Sequence, residues 1–389
     1  MRLINSDIDN RARITLNKSI SLNDINGIMN FGENNDYPQT IEKIILGSPT
    51  AKACFNIYAK FLSGAGFENK LINNVVVGKD IRGNNITTRQ LLRHISNSSA
   101  MFSGVFLKLK QNIEGKISAV RIMPLKNCRF TKADDEGYFA KMAYYENWHK
   151  DKDIKFEKEN IKSYYLYNPN ISSVSAQIKV AGGFGKWGGQ VYFATLDDTY
   201  LYPLSNFDSV YLDCDTEQQV SIFKNNLTRN GMLKKTVVAF SEPATETEQE
   251  ILESKIKSWL GADGNSVIAI YQDVNPETGK LDETQNYNIQ TIESNVEDKL
   301  FENWQKELSN NIRKAIKCPA ILIDYEDSKL SGTSGEAIIQ ATNFYNAVTN
   351  DDREFISEIF RNIFSNSTIE ELRLNTNWRI NPLSLYTLQ

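Results

Sequence analysis

Histidine is almost missing from this chain of 389 residues, which has only His94 and His149. Hydrolysis on the Ser/His/Asp plan would have to use one of the two. His94 falls on the polar side of an amphipathic helix and His149 in a charged stretch, so neither is placed for that work. Cysteine is scarce as well. Cys54, Cys128, Cys214 and Cys318 are far apart and form no CxxC, which argues against a zinc site and leaves scattered buried thiols. No apolar run approaches the ~18 residues of a membrane span, so no membrane partner is expected. The start, Met1-Arg-Leu-Ile-Asn-Ser-Asp-Ile-Asp-Asn10, lacks the apolar core of a signal peptide, and an intracellular product is expected. A Walker A sequence is missing too. Gly182-Gly-Phe-Gly-Lys-Trp-Gly-Gly189 has no GK[ST] and precedes a strand, where a phosphate loop precedes a helix; it reads as a flexible hairpin tip. Paired carboxylates (Asp134/Asp135, Asp197/Asp198, Asp351/Asp352) fit turns and caps. The chain is therefore read as a non-enzyme with no metal and no cofactor.

What is present suffices for packed cores. Hydrophobic residues make up 41%, and 17 Tyr and 19 Phe exclude a disordered chain. The net charge of −4 hides an asymmetry. Residues 1–203 hold 27 Lys+Arg and 19 Asp+Glu, a balance of +8, whereas 204–389 hold 17 and 29, a balance of −12.

In chain order, Thr40 reads as the cap of a short helix from Ile41 to Leu46. Ser48 with Pro49 opens a second, which ends at Gly64-Ala-Gly-Phe67. Residues 87–102 read as an amphipathic helix, followed by a hairpin of Val105–Lys110 and Ile117–Ile122 around Asn112-Ile-Glu-Gly115. Leu125–Phe130 and Tyr138–Tyr145 extend the sheet. The charged run Lys150–Lys158 reads as a solvated loop. A helix starts at Tyr202-Pro-Leu-Ser205 and passes through Phe223 and Leu227 to Gly231. Strands at 232–240, 266–271 and 287–292 then enclose a helix over 246–260 that carries Trp259.

The stretch from Ser294 to Phe364 organises the rest. A helix over 295–317 carries Val296, Leu300, Trp304, Leu308, Ile312 and Ile316 on one i+4 ridge, and Pro319 stops it. An acidic segment follows, and Ser334 is the expected N-cap of a helix kinked at Thr349-Asn-Asp-Asp352. Beyond Phe364 the spacing predicts one or two strands over Leu372–Ile380.

Three groups of residues carry a family resemblance. One is the block GENNDYPQ, SPT, GAGF near the N-terminus. Another is the hairpin with its Met123-Pro-Leu-Lys-Asn-Cys-Arg129 corner. The most specific is the order of a helix with F-x-N-x-x-x-x-G (Phe223, Asn225, Gly231), a strand, a helix with Trp259 before Gly261, a strand, and a long helix to Lys317-Cys-Pro319. Together they resemble the portal proteins of tailed double-stranded DNA phages and gene transfer agents, the N-terminal block being most like portals of phages of Bacteroidetes-type hosts. The resemblance implies an α+β portal fold. Its parts would be an α/β wing (1–203), a first stem helix (204–231), a small α/β clip (232–292) and a second stem helix (293–318). A tunnel loop (319–334), a kinked wing helix (335–364) and C-terminal wing strands or a minimal crown (365–389) would complete it, the crown being short or absent.

The implied function is a structural ring at one capsid vertex of the virion, through which DNA is packaged and ejected, assembled in the host cytoplasm. Homo-oligomers of this family are typically dodecamers. Implied partners are the terminase large subunit, a head–tail adaptor, the major capsid and scaffold proteins, and double-stranded DNA without sequence specificity. Tunnel-loop residues would be Asp324, Tyr325, Glu326, Asp327, Ser328, Lys329 and Leu330. Phe223, Leu227, Leu300, Trp304, Leu308 and Ile312 would pack the stem, and Glu246, Glu248, Glu250 and Trp259 would dock motor and adaptor. An acidic second half suits a conduit, because firm phosphate contacts through Lys and Arg would hold the polymer still. Two alternatives stand beside this: another capsid or connector protein, and a carboxylate- and metal-dependent phage enzyme.

Overall fold

The computed structural model describes residues 22–23, 27–32, 34–135, 137–148, 160–230, 236–241, 267–272, 298–323 and 330–384. For 22–23, 226–230, 236–241, 267–272, 298–302 and 330–335 it describes the backbone alone. The chain divides into one unit of residues 1–214 with 310–389 and another of 215–309.

The first unit opens with a small antiparallel pair, β1 (Leu22–Asn23) and β2 (Ile28–Met29). Helix α1 (Tyr37–Gly47) begins before the expected cap, with a proline in its first turn where a missing N–H costs nothing. Thr40 therefore lies inside it, and its hydroxyl donates to the Asp36 carbonyl at 3.1 Å. Helix α2 (Pro49–Ser63) is capped as read, Ser48 Oγ accepting the Ala51 N–H at 3.0 Å. Gly64 ends it at φ +50°, where a side chain would also collide with the Asn381 carbonyl. After β3 (Gly66–Phe67), β4 (Val76–Lys79) and β5 (Asn85–Thr87) comes α3 (Thr88–Phe102). A reciprocal cap holds its start: Thr87 Oγ1 accepts the Gln90 N–H, and Gln90 Oε1 accepts the Thr87 N–H.

The main sheet has six strands, β6 (Gly104–Gln111), β7 (Ile117–Met123), β8 (Cys128–Phe130), β9 (Lys141–Tyr144), β10 (Lys162–Leu166) and β11 (Gln190–Thr195). Their spatial order is β7-β6-β11-β10-β9-β8. Strand β6 is buried on both faces over Val105–Leu107, and Phe106 meets Phe193 at 4.5 Å and Phe130 at 5.6 Å. A helix not anticipated from the sequence, α4 (Ile171–Val180), joins β10 to its parallel neighbour β11. The glycine-rich run 182–189 is thus a helix-to-strand connection in a β-α-β crossover and not a hairpin tip. A parallel pair requires such a crossover, which a tight turn cannot supply.

Residues 202–207 are not helical, contrary to expectation, because their polar groups are bound elsewhere. Tyr202 Oη donates to the Met29 carbonyl at 2.8 Å and accepts the Phe130 N–H at 2.7 Å. Ser205 Oγ donates to the Met101 carbonyl at 2.7 Å. Helix α5 (Tyr211–Asn230) follows a short 3-10 turn. In the unit 215–309, β12 (Thr236–Ser241) and β13 (Val267–Gln272) pair in parallel. The helix expected over 246–260, the strand over 287–292 and the charged run's residues 150–158 lie outside the described residues.

Helices α6 (Asp298–Ala315), α7 (Leu330–Val348), α8 (Asn350–Phe364) and α9 (Glu370–Arg373) lead to β14 (Ile380–Asn381), which pairs with β3.

 Ser334, the expected N-cap, lies inside α7, since extending a helix by a residue costs less than starting one anew. The strand expected over 372–380 is reduced to the two residues of β14. Aromatic packing holds this segment instead of a ladder: Trp378 lies 5.4 Å from Phe67, 5.6 Å from Phe360 and 5.5 Å from Phe364. No described helix is long and apolar enough to cross a membrane.

Candidate functional site

The C-terminal end of α6 is closed by two reversed hydrogen bonds, Cys318 N–H to the Arg313 carbonyl at 3.0 Å and Lys317 N–H to the Lys314 carbonyl at 3.1 Å. This end motif places Lys317 at φ +52°, a position usually given to glycine. Pro319 then turns the chain into a single 3-10 turn, Ala320–Leu322. Asp324, Tyr325, Glu326, Asp327, Ser328 and Lys329 lie outside the described residues, and Leu330 is described as the first backbone position of α7.

Helix α7 ends at Val348, and Thr349 (φ −95°, ψ 9°) separates it from α8. The guanidinium of Arg353 spans this break. Its Nη1 donates to Thr349 Oγ1 at 2.6 Å and its Nη2 to the Asn346 carbonyl at 2.6 Å. Burial holds the Arg353 pKa below the ordinary arginine value, while Asp352 and Glu354 act in the opposite sense. Next to it, Tyr58 Oη donates to Asp352 Oδ2 at 2.7 Å.

Asp352 borders a cleft of about 600 Å³ that Asp197, Asp208, Asp351 and Lys317 also line. Burial raises the carboxyl pKa of Asp352, partly offset by the Tyr58 hydrogen bond. Burial raises that of Asp208 as well, offset by Tyr37. Tyr58 thus engages Asp352, whereas Asp208 Oδ1 is buried with no hydrogen-bond partner among the described residues. Among the described residues no group of three or more His, Cys, Asp or Glu side chains is placed to hold a metal ion.

Of the residues proposed to pack the stem, Ile312 is fully buried, Leu308 is buried, Phe223 is half-buried and Trp304 is 46% exposed. Leu300 and Leu227 lie in α6 and α5, described there by backbone alone. Within the unit 215–309 the two helices are joined one residue beyond Phe223 and Trp304, where Lys224 Nζ donates to Gln305 Oε1 at 2.9 Å. Glu246, Glu248, Glu250 and Trp259 lie outside the described residues.

Sequence reading missed two buried arginines and a thiol group. Arg353 follows Tyr345 and Thr349 at spacings of four, a cation on a core-facing ridge, and that was the available signal. Arg129 is fully buried, bonded to the Lys126, Cys128 and Asn35 carbonyls and to the Asn35 side chain. Burial pulls its pKa down to about 10. The four cysteines are free and buried, as read, but they are not all scattered. Cys318, and more weakly Cys214, lie close enough to Cys54 to raise its pKa.

No family model matches the chain, and no curated protein does. Solved structures align with the chain over most of its length. The neck of a native gene transfer agent particle aligns at a TM-score of 0.42 and 12% identity, covering 84% of this chain and 79% of that one. A chain of the virion of the native gene transfer agent aligns at 0.37 and 11%, covering 87% and 93%. An HK97-family phage portal protein from Corynebacterium diphtheriae aligns at 0.35 and 10%, covering 78% and 85%.

Proposed function

We propose that this chain is the repeated subunit of a portal ring at one capsid vertex, the channel through which double-stranded DNA enters and leaves the particle. One observation carries the reading: the order of elements in the second half of the chain. A helix (α5), a parallel strand pair, a helix stopped at Cys318-Pro319 (α6), an acidic segment and a helix broken at Thr349 follow one another as they do in the family resemblance. Exposed apolar side chains on these helices support an oligomer. Leu212 is 52%, Trp304 46% and Phe344 57% exposed. Covering them in a neighbouring subunit would gain ~25 cal/mol for each Å² of apolar surface removed from water. Repeating one such heterologous contact by rotation gives a closed ring.

In this reading α5 and α6 are stem helices, residues 232–292 form a clip that docks the packaging motor and later an adaptor, and 324–330 face the channel. The DNA is held without sequence readout, and the ATPase is a separate protein. Negative-stain images of the protein taken from particles test the reading. Rings with a central channel are expected; single particles at the 44.3 kDa chain mass, over a range of salt and concentration, overturn it.

A further inference from the structure

The glycine-rich run 182–189 has no part in the portal reading, yet it builds one wall of a groove of about 750 Å³. Strand β4 forms the opposite wall, and the ends of β6 and β7 form the floor. Glycines allow this close approach. A side chain at Gly189 would collide with the Leu109 carbonyl, one at Gly78 with the Val120 carbonyl, and one at Gly188 would sit 3.1 Å from the Tyr164 ring.

The groove collects one sign of charge. Lys79, Lys108, Lys110 and Arg121 line it, and no carboxylate does. Lys108 and Arg121 are direct cross-strand partners, so two cations share one rung of the ladder. Tyr164 takes up part of the Lys108 charge, its hydroxyl 3.4 Å and its ring centre 4.4 Å from the ammonium, and an anion in the groove would relieve the repulsion that is left. The walls are apolar, with Val76 45% and Phe184 43% exposed. The indole N–H of Trp187, shielded from solvent, meets no acceptor among the described residues.

The geometry points to a docking groove for an extended acidic polypeptide segment of another protein. Acidic residues of an extended chain can meet the lysines and arginine, and apolar ones the exposed Val76 and Phe184 on the two walls. Single-stranded nucleic acid fits less well. Base stacking needs an open ring face, whereas Phe184 and Trp187 lie 6.2 Å apart and tilted by 42°, a wedge and not a platform. The inference does not rest on the portal reading.

Fluorescence anisotropy of the full chain tests it, with a labelled peptide of alternating glutamate and leucine as probe and labelled oligodeoxythymidylate as competitor class. Saturable peptide binding that weakens with salt is expected. Replacing the two exposed cations, Lys110→Glu with Arg121→Glu, should weaken it about tenfold or more, while Lys43→Glu on α1 should not. Matching thermal melts would show that all variants fold. No saturable binding, equal binding by the double variant, or tighter binding of the oligonucleotide than of the peptide overturns the inference. So does self-association of the chain that the double variant abolishes, since the occupant would then be a second copy.

Discussion

Arg353 donates to the hydroxyl of Thr349 at 2.6 Å, one helical turn back, at the residue where α7 and α8 part. The Thr349 hydroxyl in turn donates to the Tyr345 carbonyl at 2.8 Å. A broken helix frees backbone acceptors, and buried acceptors left without donors are costly. Here one guanidinium serves both the hydroxyl and the Asn346 carbonyl, so the break is built in by side chains. Arg353→Met should therefore destabilise the chain by ~2 kcal/mol, from the donors lost to buried acceptors. Arg353→Lys should fall between, because an ammonium cannot reproduce the planar fork. Urea midpoints for the three proteins check the order; a methionine variant as stable as the parent would show that the break does not depend on the arginine.

Lys317 gives a prediction of opposite sign. It is exposed and held at φ +52° by the closing bonds of α6. A residue with a Cβ is strained there by ~1 kcal/mol relative to glycine. Lys317→Gly should stabilise the chain by up to ~1 kcal/mol, less the extra freedom glycine gains on unfolding. An unchanged or lower thermal midpoint would count against the strain argument.

These two sites show what the sequence made legible. Ser48-Pro49 and the Thr87/Gln90 cap could be read because a cap is closed by residues within three positions of one another. The helix break at Thr349 falls in the run of poor helix formers at 349–352, but its cause was not visible, since a lone arginine looks like a surface residue. Helix α4 was missed because Ile171-Ser-Ser-Val-Ser175 has low helix propensity. Its one local signal was Asn170, whose side chain accepts the Ser172 N–H at 3.0 Å. Arg129 and Asn35 are ninety-four residues apart, and no periodicity connects them. The Cys54–Cys318 contact spans still more of the chain. Local chemistry was readable, and long-range polar partnerships were not.

The Asp352 carboxyl sets a pH dependence. Burial raises its folded-state pKa above the unfolded value near ~4. Between those two values the folded chain binds the proton more tightly, so this group's contribution to stability rises as pH falls through the folded pKa. At neutral pH the buried charge is a cost in the folded state. Asp208 acts in the same sense. Asp352→Asn should remove its share and leave a smaller gain on acidification from pH ~7 to ~4. Urea midpoints measured across that range would show this, and identical pH profiles for variant and parent would sink the assignment.

The last prediction concerns the acidic segment and rests on the portal reading. If residues 324–330 line a DNA channel, Asp324, Glu326 and Asp327 recur around it once per subunit, with Lys329 the cation beside them. Like charge then faces phosphate, which favours sliding over gripping. Replacing all three acids with Lys changes each subunit by six charge units. Counterion release would then favour holding the DNA, and that attraction weakens steeply with salt. Rings should still assemble, because the changed residues lie between helices and not on their apolar ridges. Packaging in a reconstituted motor assay should stall at low salt and recover as salt is raised. Rings that package at the parent rate with the parent salt response would show that this segment does not face the DNA, while leaving the ring itself intact as a separate result.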